Sequence, residues 1–344
     1  MSHYHVITIG SATRDVYLKS PAFDLIKSEK FVTGVGECLA LGSKNEASEI
    51  FLDTGGGGTN TAVTFGNLKL KTAVLTRVGN DESGNEVIRV LKKAKVDTSM
   101  IQRDKKHFTS YSTLLLTGTG HRSVLVYRGA SNFINWEEAP QRKMKTKWFY
   151  ITSLGGNIKL LKKIFDFAKK KKIKIAWNPG GAELKLGVKK LQRFIKNTEV
   201  FNVNREEASE LVKVPFDNLN FLLKKMSKLG AKIKIVTDGE KGAYAFDGKE
   251  WYFAHSLGTK PLNTTGAGDA FGSGFVAGLI LCEVRHRPTK SKLCDNNCLD
   301  YALRLATLNA DGVIRKMGAK NGLLESLPRQ KELKRVKITF FNKL

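Results

Sequence analysis

Apolar residues along this chain gather into short blocks, and amphipathic stretches separate the blocks. Val6-Ile7-Thr8-Ile9-Gly10 predicts a buried strand ending in a turn. Asn60 to Leu68 predicts a helix that opens on small residues, Thr72 to Thr76 a strand, and Gly84 to Ala94 an amphipathic helix. Trp148 to Ile151, Ile173 to Trp177, Val200 to Val203 and Ile233 to Thr237 predict further strands. The helices among them are expected at Lys159 to Lys170, Val188 to Ile195, Glu206 to Leu211 and Phe221 to Leu229. Gly268 to Leu281 and Leu299 to Val313 predict two last, strong helices. Alternation of this kind implies a parallel sheet covered on both faces, joined by right-handed crossovers.

Two regions break the rhythm, a first hairpin and the stretch from Ser20 to Phe51. Tyr111 to Leu116 and Ser123 to Tyr127 flank Thr117-Gly118-Thr119-Gly120 and predict a hairpin, and Gly242 to Phe246 with Glu250 to Ala254 predict another. Ser20 to Phe51 is irregular, with strand-like pieces at Phe31-Val32 and Glu49 to Leu52. This stretch and the first hairpin are expected to form a small sheet over the C-terminal ends of the main strands. Ligands bind at that edge of open α/β sheets, so the small sheet would act as a lid. The expected organisation is a large α/β unit of residues 1–15, 53–106 and 132–344, with a β lid of residues 16–52 and 107–131 inserted in it. A chain of 344 residues is long enough for one such core and too short for two full-sized ones.

Charge changes the picture only a little. Lys and Arg number 58 against 32 Asp and Glu, a net charge of +26. Nucleic acid or an anionic membrane could attract such a surface. The basic runs, however, are short and scattered: Lys92-Lys93, Lys169-Lys170-Lys171-Lys172 and Lys189-Lys190 are expected near helix ends, where cations suit the dipole. They read as solvated surface, and a nucleic-acid partner is not expected. No apolar run reaches the roughly 20 residues of a membrane helix, and Met1 to Gly10 has no signal-peptide pattern. Of Cys38, Cys282, Cys294 and Cys298 only the last two are close, without the second pair a zinc site needs, and the six histidines show no ligand spacing. A cytoplasmic setting with reduced thiols is the expectation. The Arg285 to Asn297 stretch is polar and suggests no function.

Three segments carry candidate chemistry. Asn263-Thr264-Thr265-Gly266-Ala267-Gly268-Asp269 precedes a helix rich in small residues: Gly272, Ser273, Gly274, Ala277 and Gly278. Glycines at a helix start let backbone N–H groups approach a phosphate, and the dipole adds positive potential there. Such a nest suits the charge that develops on a transferring phosphoryl group. An aspartate beside it would repel phosphate, but it could orient an attacking hydroxyl and take its proton. Asp269 could equally be an ordinary N-cap. Gly55-Gly56-Gly57-Gly58-Thr59-Asn60 could admit a polyhydroxylated molecule, with Asn60 both donor and acceptor, or be a loop ending in an Asn cap. Asp15, in Gly10-Ser11-Ala12-Thr13-Arg14-Asp15, could accept two sugar hydroxyls or be a turn aspartate. The chain has no Gly-x-x-x-x-Gly-Lys-Ser/Thr, and no Gly-x-Gly-x-x-Gly follows the first strand.

In this order, the motifs resemble the ribokinase-like family of carbohydrate and nucleoside kinases, the phosphofructokinase-B type, from Val6 to Leu323. Arg77-Val78-Gly79-Asn80-Asp81, Asn204-Arg205-Glu206-Glu207, Thr237-Asp238-Gly239-Glu240-Lys241-Gly242 and Gly318-Ala319 agree with it. The resemblance implies a three-layer α/β sandwich with a mostly parallel central sheet and a small β-sheet lid. It implies Asp269 as base, with Gly266, Ala267 and Gly268 as anion hole, and Asp15, Gly56, Gly57 and Asn60 on the sugar. Asn204, Thr237, Gly239, Gly242 and Gly318 would line the ATP site, and Glu207 would hold Mg²⁺ through water. The lid would be able to pair two subunits. Some positions depart from the pattern. Asn263 stands where the family has Asp, at a position that helps ribokinases bind a monovalent cation, so that cation is doubtful here. Ribokinases carry a lysine within the first glycine motif, where this chain has Gly57-Gly58. They place a glutamate after the strand matching Trp148 to Ile151, where it has Thr152-Ser153, so ribose is the less expected acceptor. Lys69 stands where a small residue is usual. The expected function is ATP- and Mg²⁺-dependent phosphorylation of a hydroxyl on a small sugar. A nucleoside kinase on the same scaffold is the alternative, and a non-catalytic nucleotide- or nucleic-acid-binding protein a more distant one.

Overall fold

The computed structural model of the chain describes residues 3–31, 34–117, 122–285 and 298–341. The turn expected at 118–120, the stretch 286–297 with Cys294, and Val32 lie outside them. Among the described residues nine strands form the main sheet. Their order is Ile338–Phe340, Trp251–His255, Gly242–Phe246, Ile233–Thr237, Val200–Asn204, Lys174–Trp177, Thr146–Ile151, Tyr4–Ile9 and Thr72–Leu75. Neighbours from Ile233–Thr237 to Thr72–Leu75 run parallel, and the remaining edge is antiparallel.

The parallel strands read as unbroken apolar blocks because both faces are covered. Successive side chains point to opposite faces. Phe149 and Ile151 therefore enter the core with Ile164, Leu191, Leu211 and Leu222, from helices Ile158–Lys171, Gly187–Ile195, Arg205–Val212 and Leu219–Ser227. Trp148 and Tyr150 enter the core with Phe65, Phe275 and Leu305, from helices Gly57–Asn67, Ala267–Arg285 and Cys298–Ile314. The result is the expected three-layer α/β sandwich.

Ala267–Val284 has the length and composition of a membrane span, with a mean hydropathy of 1.4 over 18 residues, but 67% of it is buried inside the protein. Its glycines let it approach Cys298–Ile314: a Cβ on Gly278 would lie 2.5 Å from the Ala302 Cα. The small residues of this helix thus serve helix packing as well as its open start.

A separate four-stranded sheet runs Arg122–Tyr127, Ser110–Leu116, Thr13–Lys19, Glu49–Gly55. Thr13–Lys19 rules out the alternative in which Asp15 is a turn aspartate. It pairs antiparallel with Glu49–Gly55 and parallel with Ser110–Leu116, which places Asp15 directly opposite Asp53. Phe31 is not in a strand: its ring lies against Gly36 in the ribbon Asp24–Lys27 and Val35–Cys38, where packing and not pairing uses it. The outer strands of the small sheet leave Ile50, Leu52, Leu125 and Val126 exposed.

Gly79 and Asp81 tie this sheet to the core through Thr109, the residue before Ser110–Leu116. Asp81 caps helix Glu82–Lys93 through the Gly84 N–H at 2.7 Å, and also accepts from the Thr109 N–H and hydroxyl at 2.7 and 2.6 Å. Arg77 pairs with Asp104 at 2.8 Å and Glu138 at 2.7 Å.

Lys92, Lys93 and Lys169 to Lys171 lie in last turns, as expected, whereas Lys189-Lys190 sits near the start of Gly187–Ile195. Just beyond four helices, Lys69, Lys95, Lys172 and Lys213 take left-handed backbone, with φ of 61°, 59°, 55° and 54°.

Candidate active site

The two glycine motifs meet at one point. Helix Ala267–Arg285 starts after Gly266, whose φ is 80° and whose Cβ position is occupied by Ala319. Asp269 is the third residue of this helix, so it is not its cap, and its carboxylate is half-buried. Helix Gly57–Asn67 begins three residues earlier than expected, which puts Asn60 inside its first turn and not at its cap. Asn60 is buried and donates from Nδ2 to the Asp269 Oδ2 at 2.8 Å, joining positions 209 residues apart. Loss of water pushes the Asp269 carboxyl above the usual carboxylate range. The Asn60 hydrogen bond and the Lys320 charge pull it back, and the Asp15 charge adds to the rise.

The glycines of the first motif have a different use from the one expected. A Cβ on Gly56 would lie 2.5 Å from the Ser11 carbonyl oxygen, one on Gly57 2.8 Å from Thr152, and one on Gly58 2.7 Å from the Gly10 carbonyl carbon. Their bareness lets the helix start press against the end of Tyr4–Ile9. Gly268, by contrast, has nothing within 4 Å of where its Cβ would be. The Ala267 N–H turns back to the Thr264 carbonyl at 3.2 Å, so the Gly268 and Asp269 N–H groups form the open end of that helix.

A cavity of about 530 Å³ lies beside this open end. Thr237, Gly239 and Gly242 line it together with Ala267, Gly268 and the apolar Leu257, Phe271 and Ile314. Asn204 and Glu207 do not line it. They cap each other at the start of Arg205–Val212, with Glu207 N–H to Asn204 Oδ1 at 2.8 Å and Asn204 N–H to Glu207 Oε2 at 2.8 Å. Burial raises the Glu207 carboxyl, the Asn204 N–H opposes this, and the negative charge of Asp269 adds to it. Arg205 braces the neighbouring turn by a 2.9 Å ion pair to Asp238. Gly318 also lies away from the cavity. With φ at 91°, it packs against the Asp53 carboxylate, where a Cβ would come within 2.0 Å of Oδ2.

Asp15 is buried and accepts from the Thr13 hydroxyl at 2.7 Å. Its Oδ2 sits over Gly55, where a Cβ would come within 2.0 Å. Asp15, Asn60 and Asp269 are thus gathered around one space, with two residues that sequence reasoning missed, Asp53 and Lys320. Asp53 faces Asp15 across the strand pair. Lys320, from the turn after Cys298–Ile314, is buried and donates to the Thr54 carbonyl at 2.6 Å and to Asn60 Oδ1 at 2.8 Å. Glu183 reaches the loop after Thr146–Ile151, accepting from the N–H groups of Leu154 at 2.7 Å and Gly156 at 3.0 Å. The absence of a lysine from the first glycine motif was the one signal that a cation would have to come from elsewhere. Asn263 is buried, and its Oδ1 accepts the Thr265 N–H at 3.0 Å.

An open helix start beside a carboxylate and a lined cavity is an arrangement able to hold phosphate next to a hydroxyl. The chain is similar to known kinases. Deoxyribokinase of Salmonella typhimurium is 25% identical over 245 residues, which is 70% of this chain and 79% of that protein. A ribokinase from Arabidopsis thaliana, solved with ribose and ATP, superposes with a TM-score of 0.74 at 19% identity, covering 97% of this chain and 98% of the other. A nucleoside kinase of Methanocaldococcus jannaschii, an archaeal member of the ribokinase family, superposes at 0.73 with 18% identity over 97% and 99%. The family model of the pfkB carbohydrate kinases matches residues 5–326. The chain therefore belongs to the pfkB family of carbohydrate kinases and is a phosphotransferase.

Proposed function

We propose that this enzyme transfers the γ-phosphoryl group of ATP in line to a primary hydroxyl of a small sugar or sugar derivative. The observation that carries this reading is the Asn60–Asp269 hydrogen bond, which brings the two glycine motifs to one carboxylate beside the open helix end. In this reading Asp269 orients the acceptor hydroxyl and takes its proton, and its raised pKa makes it a better base than an ordinary carboxylate. The N–H groups of Gly268 and Asp269 face the charge that builds up on the phosphoryl group, with Gly266 and Ala267 forming the turn that leaves them open.

The acceptor lies over Asp15 and Asn60, while Gly56 and Gly57 let the helix start that carries Asn60 pack close beneath it. ATP occupies the cavity of Thr237, Gly239 and Gly242. The described residues hold no cluster of three or more His, Cys, Asp or Glu that could cage a metal. That fits a Mg²⁺ held chiefly by phosphate oxygens and water, with Glu207 reached only through such water, where it would neutralise phosphate charge. The exposed Ile50, Leu52, Leu125 and Val126 support a second copy docking on the small sheet. Sedimentation equilibrium should then give twice the chain mass, and a monomer at all concentrations would remove the dimer.

The deciding experiment is a phosphotransfer assay with ATP·Mg²⁺ against aldoses, ketoses, deoxy-keto acids and nucleosides. Turnover of one or more sugars, with nucleosides inert, is expected. Turnover of nucleosides alone would overturn the sugar reading.

A further inference from the structure

We propose that Lys320 is a positioning residue of the phosphoryl-transfer site: its ammonium fixes the Asn60 amide, and through it the Asp269 carboxylate, while balancing the carboxylates gathered there. The proposal rests on the kinase reading above for the chemistry, and on geometry for the rest.

An ammonium group can only donate. Lys320 Nζ lies 2.8 Å from Asn60 Oδ1, so the oxygen of that amide must face the lysine. The amide NH₂ is then turned the other way, where it donates to Asp269 Oδ2 at 2.8 Å. A neutral side chain in place of Lys320 would leave the Asn60 amide free to flip and present its oxygen to the carboxylate, repelling it. The Thr54 carbonyl, at 2.6 Å, holds the amine in place from the strand before the first glycine motif.

The surroundings give the charge its purpose. Asp15 and Asp53 stand directly opposite each other in the antiparallel pair Thr13–Lys19 and Glu49–Gly55, where two like charges repel. The turn carrying Lys320 clasps this pair: Gly318 packs on Asp53, and Asn321 Nδ2 donates to Asp53 Oδ2 at 3.2 Å. The carboxylates facing the amine are Asp53 from Glu49–Gly55, Asp15 from Thr13–Lys19 and Asp269 from Ala267–Arg285. Two of the three ammonium protons go to Thr54 and Asn60, which leaves one for this acidic cluster.

Burial lowers the Lys320 amine to about 8, against the pull of Asp53, Asp15 and Asp269. The sign follows: the cation is present below that pH and lost above it. Turnover should therefore fall on the alkaline side near pH 8, while the Lys320 charge keeps the Asp269 acid limb from rising further.

The test compares wild type with Lys320→Met and Lys320→Arg across pH 5 to 10. Lys320→Met should lower kcat by about 10- to 100-fold, with KM for ATP within about twofold. Its alkaline limb should vanish and its acid limb move up. Lys320→Arg should recover part of kcat and carry the alkaline limb beyond pH 10. Lysine ¹³Cε NMR of the free enzyme supplies a readout independent of any acceptor: one resonance should titrate near pH 8 in wild type and be missing from Lys320→Met, or from Lys320→Arg if the methionine variant does not fold. Wild-type kcat and an unchanged profile in Lys320→Met overturn the proposal, as does the absence of that resonance in wild type. Failure of every acceptor to react would instead count against the kinase reading, and the NMR result would still decide whether Lys320 carries the charge described.

Discussion

The two glycine-rich helix starts look alike in sequence and do opposite jobs. At Gly57–Asn67 the glycines press against protein: Ser11, Thr152 and Gly10 fill the space a Cβ would need. At Ala267–Arg285 the glycine that matters, Gly268, borders empty space and the cavity. A run of glycines before a helix thus signals close approach without saying what approaches. At the first start it is the end of the strand Tyr4–Ile9, and what reaches the site from there is a side chain, Asn60. At the second it is backbone that reaches the site, with Asp269 beside it.

The largest expected effect falls on the second start. Asp269→Asn should lower kcat by about 10²-fold or more while calorimetry still shows ATP binding. Near-normal turnover would mean that the open helix end is not where the proton leaves. Next comes the first start. Gly58→Ala places a methyl 2.7 Å from the Gly10 carbonyl carbon and should cost about 1–3 kcal/mol by overpacking, read from the denaturant midpoint. The KM for ATP should not change. The smallest effect is Gly268→Ala. Nothing stands within 4 Å to be struck, so stability should hold or rise by up to about 1 kcal/mol. The new methyl enters the cavity, and the KM for ATP should rise a few-fold. If Gly58→Ala weakens ATP binding while Gly268→Ala only alters stability, the assignment of the two starts is reversed.

The core of the fold was readable because it is periodic. Trp148-Phe149-Tyr150-Ile151 is apolar at every position because both faces of its strand are covered, and Leu160, Ile164 and Ala168 repeat at helical spacing on the helix that follows. The strand Thr13–Lys19 was not readable. Its partners are 30 to 100 residues away, and Thr-Arg-Asp-Val-Tyr-Leu-Lys shows no alternation, because Asp15, Val16 and Tyr17 are all buried in succession. Asp269 and Asn60 could be named from local motifs, but Lys320 could not. It owes its position to the turn after Cys298–Ile314 folding back onto the small sheet, and nothing in Gly318-Ala319-Lys320-Asn321 separates a buried lysine from an exposed one. Glu183 was missed for the same reason: its carboxylate serves a loop about 30 residues earlier in the chain.

The left-handed lysines have a consequence for heat tolerance. Lys69, Lys95, Lys172 and Lys213 end their helices in a backbone conformation that costs a side-chain-bearing residue roughly 1–2 kcal/mol. Glycine takes it freely, though it gives back part of the gain through its greater freedom when unfolded. Placing glycine at all four would lower the net charge from +26 to +22 and leave Asp269, Asn60 and Lys320 untouched. The enzyme therefore carries a reserve of thermal stability at four surface turns, where it can be raised without altering the groups that meet the substrate.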